Sequence, residues 1–343
     1  MPVLRSTKSV TIMTLQDITL SPDNDDTPAL LNTSLSLIGA ILLGGFVGLK
    51  SPASGEAFSQ SIDITLQAMI FLLFFELRVG ALFRSFQNIR FLALAWSANF
   101  LIIPVIGYGI ASLVFSGQPL LFVGLMIYFL APCTDWFLGF TRLAKGDTEL
   151  GTTLIPINIT TQLLLFPFWL LLFANGTAFA EFSSIRNMLV DWFLVPLIAA
   201  QAVRFAVERM LPENWSAAVL SVVSRCVPFV LATLVFQLFA THIGEIAVHL
   251  DLAVSVAVAV LLFFISTFVA GEVLSRFGRL DYPQRALLST TMAARNGPLM
   301  LALTAIAIPN QPLVFAVIVA GMLIEIPLLT ALTQILLKLS QKR

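Results

Sequence analysis

From Leu30 to Leu337 the chain is a succession of apolar stretches, most of them about 18 to 26 residues long and separated by short polar turns. About 20 helical residues cross the roughly 30 Å hydrocarbon core of a bilayer. Ten such stretches are read, at 30–49, 64–83, 91–115, 119–141, 150–173, 187–207, 217–240, 250–275, 284–308 and 312–337. Hydrophobic residues make up 58% of the chain and charged residues only 11%. A soluble globule, with roughly a quarter of its residues charged, is excluded. The reading is an all-α integral membrane protein whose spans form one transporter domain over 30–338, because no linker or charge run interrupts them.

The flanks are polar. Residues 1–29 are rich in Ser, Thr and Asp and read as a disordered tail, without the apolar core of a secretory signal; 339–343 form a second short tail. The 19 basic and 19 acidic residues cancel, which gives nucleic acid no reason to bind. Placement matters more than the total. With a cytoplasmic amino terminus, the inner segments hold Arg5, Lys8, Arg78, Arg84, Arg90, Arg142, Lys145, Arg204, Arg209, Arg276, Arg279, Arg285, Lys338, Lys342 and Arg343, and the outer loops only Lys50 and Arg186. This positive-inside bias puts both termini in the cytoplasm and the protein in the plasma (inner) membrane.

Ten spans divide into five and five, and an odd number makes the second half enter the membrane in the opposite sense. An inverted repeat is therefore expected, with 30–175 as the first half and 185–338 as the second. The fourth span of each half is interrupted, at Leu130-Ala131-Pro132-Cys133-Thr134-Asp135 and at Ala294-Arg295-Asn296-Gly297-Pro298. Proline removes a backbone donor and disfavours helix just before it, and glycine weakens the helix further, so Pro132, Gly297 and Pro298 mark two broken helices. Freed amides attract anions and freed carbonyls attract cations, which makes two crossing breaks a solute site.

A charge at the bilayer centre costs about 2.5 to 3.5 kcal/mol even on lenient scales. Asp135 and Arg295, one in each break, are the first pair to consider, with Glu325 of the tenth span beside them as a second ion-coupling acid. Asn158, in the corresponding part of the fifth span, faces the same cavity. Glu76 and Arg78 lie near the inner end of the second span, where long side chains reach the membrane surface. Asp191, Arg225 and Glu272 read as structural, and His242 and His249 fall near an outer loop. Cys133 and Cys226 are too far apart for a disulfide framework or a zinc spacing. Cys133 differs from an inert buried cysteine in lying inside a break, where it is a soft ligand suited to arsenic(III), a single sulfur binding weakly enough to release.

Ala131-Pro132-Cys133-Thr134, followed by Leu143-Ala144-Lys145-Gly146-Asp147, resembles the fourth span of arsenical-resistance permeases in the bile acid/sodium symporter superfamily. The resemblance implies a panel domain and a core domain, broken helices crossing in the core, and arsenite handled by Cys133. The ninth span departs from the family. Its glutamate after the asparagine-containing break is replaced by the run Leu299, Met300 and Leu301, and Asp135 stands where a small apolar residue is usual, which removes the family's basis for sodium coupling.

These readings converge on a secondary transporter that exports arsenite in exchange for protons carried by Asp135 or Glu325, with Cys133, Thr134, Asn158, Arg295 and Asn296 at the solute. The alternative is an organic-anion transporter, sodium- or proton-coupled, in which Arg295 grips a carboxylate or sulfonate. An enzyme would need a nucleophile, base and orienter or a zinc motif, and no cofactor motif is present. A channel would need a continuous polar path.

Overall fold

The computed structural model describes residues 26–76, 88–134, 136–174, 194–247, 252–308 and 311–340. Asp135, Arg78, Asp191 and His249 lie outside the described residues, as does nearly all of the expected amino-terminal tail. All the named elements are helices: α1 Asp26–Lys50, α2 Pro52–Glu76, α3 Ile89–Val114, α4 Pro119–Leu130, α5 Phe137–Leu143, α6 Thr148–Ala174, α7 Val195–Met210, α8 Glu213–Ala247, α9 Leu252–Phe277, α10 Tyr282–Ala293, α11 Gly297–Ala307 and α12 Pro312–Ser340. The first helix already includes Asp26, ahead of the expected 30, and α2 begins at Pro52, ahead of the expected 64; the expected end at 83 lies outside the described residues.

Five stretches among the described residues are long and apolar enough to cross a membrane: Ala57–Glu76, Ile89–Val114, Asn214–Gly244, Ala253–Phe277 and Pro312–Ser340. Helix α9 shows how such a helix is covered. Val254, Val258, Leu261, Ile265, Val269 and Val273 recur at three- and four-residue spacing and stay exposed, while Val256, Ala259, Val260, Phe263, Phe264 and Thr267 are buried. An apolar face turned outward on a helix this hydrophobic suits lipid tails, which ask nothing of it but the absence of charge.

The helices pack as two groups. One comprises α1, α2, α7 and α8; the other holds α3 to α6 and α9 to α12. Within the first, Gly44 and Gly48 let the α1 and α8 backbones touch: a Cβ on either would sit 2.4 Å from the Phe236 oxygen or 2.3 Å from the Ala240 oxygen. This is the small-residue seam that replaces the hydrophobic effect as helix glue inside a bilayer. Gln201 and Arg204 of α7 donate to the Phe74 and Phe75 carbonyls of α2 at 2.6 Å each, fastening the two helices. The groups meet where α8 and α1 touch α12 and where α2 touches α11.

Two features of the second group position the site. A five-residue π-helical stretch, Ala98–Ile102, precedes Pro104 in α3 and carries the buried Asn99. The turn Lys145-Gly146-Asp147 is a structural corner: Gly146 N–H returns to the Thr141 carbonyl at 2.8 Å, and Asp147 caps α6 by accepting from Leu150 N–H at 2.9 Å. Asp147 N–H also reaches the Pro283 carbonyl at 3.1 Å, fastening this corner to the start of α10.

Candidate functional site

Helix α4 ends at Leu130, where Ala131 turns to extended backbone (φ −106°, ψ 108°), and helix resumes at Phe137. Helix α10 ends at Ala293, with Ala294 extended at φ −75°, ψ 136°, and α11 begins at Gly297. The two non-helical pieces lie against each other as an isolated antiparallel bridge between Pro132 and Arg295. Cys133 N–H donates to the Ala294 carbonyl at 3.0 Å and Asn296 N–H to the Ala131 carbonyl at 2.8 Å. Each interruption thus answers backbone groups that the other leaves open.

Side chains reinforce the bridge. Asn296 Nδ2 donates to Thr134 Oγ1 at 3.0 Å, while its Oδ1 caps α11 by accepting Leu299 N–H at 3.3 Å. Pro298 follows in the first turn, where its missing N–H costs nothing. Cys133 is fully buried and outside any disulfide; Cys226 is exposed on α8.

Arg295 is 0% exposed. Its Nη1 donates to the Phe129 carbonyl at 2.9 Å, and Nη2 to the Thr291 and Met292 carbonyls at 2.8 Å each and to Asn99 Oδ1 at 3.2 Å. The guanidinium lies 5.4 Å from the centre of the Phe263 ring, which stacks on Phe129. The acceptors it reaches are carbonyls freed where α4 and α10 end, so the cation works as a cap shared by two helices. Asn99 passes the network on, donating to Thr291 Oγ1 at 3.3 Å, which Asn158 Nδ2 reaches at 3.5 Å. Asn158 therefore joins the cluster through Thr291.

Glu325 is equally buried. Its Oε1 accepts the Arg295 backbone N–H at 2.9 Å and the Trp136 indole N–H at 3.0 Å; its Oε2 lies 2.7 Å from the Tyr128 hydroxyl. That hydroxyl is also 3.0 Å from the Gly321 carbonyl. Gly321 makes room for the ring, since a Cβ there would stand 2.8 Å from it. A phenol has one hydrogen, so it serves one of its two acceptors as a donor. A proton on Oε2 satisfies both contacts: the acid donates to Tyr128, and Tyr128 donates to Gly321.

The structure thus brings Pro132, Cys133, Thr134, Arg295, Asn296, Gly297, Pro298 and Glu325 together, with Asn158 one residue removed, while the expected Asp135–Arg295 pair falls outside the described residues. Tyr128, Trp136, Asn99 and Thr291 were not singled out in the sequence. Asn99, an amide in an otherwise apolar span, is the available signal; Tyr128 and Trp136 stand among apolar residues and give none. Glu272, read as structural, forms a two-pronged ion pair with Arg285 between α9 and α10. Among the described residues no group of three or more His, Cys, Asp or Glu could hold a metal ion.

Residues 63–249 match the profile of the Sodium Bile acid symporter family. The chain belongs to that family. It is a multi-pass membrane transporter and not an enzyme. Among curated relatives it is similar to the arsenical-resistance protein Acr3 of Corynebacterium glutamicum, with 28% identity over 263 residues that cover 71% of this chain and 69% of the relative. The likeness supports placement with the arsenical-resistance branch of the symporter family.

Proposed function

We propose that this symporter-family protein is an arsenite efflux permease driven by proton exchange, with ten crossings in a five-plus-five inverted repeat and both termini on the cytoplasmic side of the plasma membrane. The observation that carries the reading is the bridge between the two interruptions. It holds Cys133, a soft ligand for trivalent arsenic, in the same buried cluster as the Glu325 carboxylate, which accepts the backbone N–H of the bridge residue Arg295. The relative's role in arsenical resistance points the same way.

Glu325 is the proton carrier. With a proton on Oε2 the Glu325–Tyr128–Gly321 chain is complete, and without it the carboxylate keeps its two N–H donors on Oε1. Both states therefore retain hydrogen bonds, as a group that must load and unload a proton requires. Cys133 is sealed in the present arrangement, so arsenic reaches it when the two helix groups shift against each other, the alternating-access step. The organic-anion alternative loses its main support, because the Arg295 guanidinium is turned onto carbonyls and Asn99.

The test is arsenite accumulation by arsenite-sensitive cells expressing wild type or Cys133→Ser at equal membrane levels. Accumulation lowered by wild type alone is the expected result; equal accumulation in both and in empty cells would falsify arsenite export.

A further inference from the structure

At the end of α9, one of the helices long and apolar enough to cross a membrane, the chain turns sharply into α10. Leu280 N–H returns to the Ser275 carbonyl at 3.0 Å and Arg279 N–H to the Arg276 carbonyl at 3.2 Å, the pattern that closes a helix through a left-handed residue. That residue is Arg279, at φ 50°, where glycine is usual and a side chain is strained. The neighbouring corner, between α5 and α6, has Lys145 at φ 56°. The Tyr282 hydroxyl fastens the two corners by donating to the Ala144 carbonyl at 2.7 Å. Each corner thus carries a cation at a position that glycine would occupy without strain.

A cleft of about 280 Å³ opens at the α9–α10 corner, lined by Ser275, Arg276, Arg279, Leu280 and Arg285. Ser275 is only 3% exposed, and its hydroxyl meets no partner among the described residues. A buried hydroxyl left open is unfavourable until a ligand or water answers it. Arg285 is buried too; it holds Glu272 through Nε and Nη2, which leaves Nη1 open among the described residues. Arg276 and Arg279 are exposed, and neither forms an ion pair among the described residues. The acids nearest in sequence are engaged: Glu272 holds Arg285, and Asp281 caps α10 by accepting Gln284 N–H at 3.0 Å. No carboxylate lines the cleft among the described residues. Leu94 of α3 lies against Gly278, and the sequence 77–87 ahead of α3 contains Arg78 and Arg84 but no acid.

We infer that this cleft binds a phosphate group, carried by an anionic phospholipid headgroup or free in solution, at a site separate from solute transport. A guanidinium presents paired N–H donors in one plane, a match for two phosphate oxygens. Arg276 and Arg279 supply the positive charge. Arg285 adds a donor held in place by its pairing with Glu272, and Ser275 adds a neutral one at the buried side. The end of a membrane-crossing helix is at headgroup depth, and the proposed topology puts this end on the cytoplasmic side, where anionic lipid attracts basic residues. A phosphate bound there ties the last turn of α9 to the start of α10, the helix that leads to Arg295.

The experiment follows thermal unfolding of the full chain in two media. One is nanodiscs of phosphatidylcholine with and without phosphatidylglycerol; the other is neutral detergent with sodium phosphate against sodium chloride at matched ionic strength. Phosphatidylglycerol, inorganic phosphate or both should raise the wild-type Tm by about 3 °C. A rise with the lipid alone assigns the headgroup, and a rise with phosphate in detergent assigns the free anion. The rise should vanish in the double variant Arg276→Gln, Arg279→Asn, in which asparagine keeps the left-handed turn. Ser275→Ala should weaken the affinity about threefold, the loss of one neutral hydrogen bond. Arg209→Gln, at an exposed arginine ending α7, should keep the full rise, which separates the cleft from the general attraction of basic residues to anionic lipid. No rise in either medium, a rise that the double variant keeps, or an equal loss in Arg209→Gln would overturn the site. Should the double variant not fold, Ser275→Ala decides, and an unchanged affinity there would overturn it as well.

Discussion

Arg295 and Glu325 are both charged residues completely buried in a membrane-spanning chain, yet their surroundings differ in kind. The guanidinium of Arg295 faces three carbonyls and an amide oxygen, all acceptors, which only a donor can answer. Glu325 faces two fixed N–H donors and one hydroxyl that can donate or accept, so it has two complete arrangements, one with a proton and one without. Burial does not separate a structural charge from a working one; the count of donors and acceptors around it does.

Substitutions can break this contrast. Arg295→Ala should cost the most, about 3 to 5 kcal/mol, because it strips the donors from four buried acceptors at once. Thermal unfolding in detergent and membrane yield would measure it, and a Tm close to wild type would mean that Arg295 is not a shared cap. Arg295→Lys should rescue little, since a point ammonium cannot span acceptors arranged for a fork.

Glu325→Gln should separate stability from coupling. The amide carbonyl can keep both N–H donors and the NH₂ can donate to Tyr128, so Tm should fall by no more than about 3 °C. Proton-driven uphill transport should nevertheless disappear in vesicles, with downhill movement retained. A pH gradient that still drives the variant would remove Glu325 from the proton path. Tyr128→Phe is the mildest case: it removes the hydroxyl that lies against Glu325 Oε2 and the Gly321 carbonyl, at a cost of about 1 kcal/mol, and should weaken, without abolishing, the dependence of transport rate on pH. A rate profile identical to wild type would reduce Tyr128 to packing.

The prolines made the helix ends legible, because a missing N–H acts on the neighbouring backbone wherever the chain goes afterwards. Helix stops at Leu130 ahead of Pro132, and α11 starts at Gly297 with Pro298 in its first turn. Partners were a different matter. The acceptors around Arg295 are mostly main-chain carbonyls, which every residue carries and no motif advertises. Tyr128 and Trp136 sit among phenylalanines and leucines, and only the tertiary approach of α12 turns their polar ends into donors for Glu325. Glu76, read near the inner end of a span, lines a cavity with Ser224 of α8, a neighbour that its own stretch of sequence does not name.

The bridge between the two interruptions also bears on how the protein is made. Thr134 and Asn296, which fasten it, are 162 residues apart in the chain. At roughly 5 to 20 residues per second, a ribosome needs about 10 to 30 s to travel that distance. Through that interval the open amide and carbonyl of the first interruption have no main-chain partner and must stay hydrated or be shielded by the insertion machinery. The early half of the protein therefore waits in the membrane, incompletely paired, until the late half arrives.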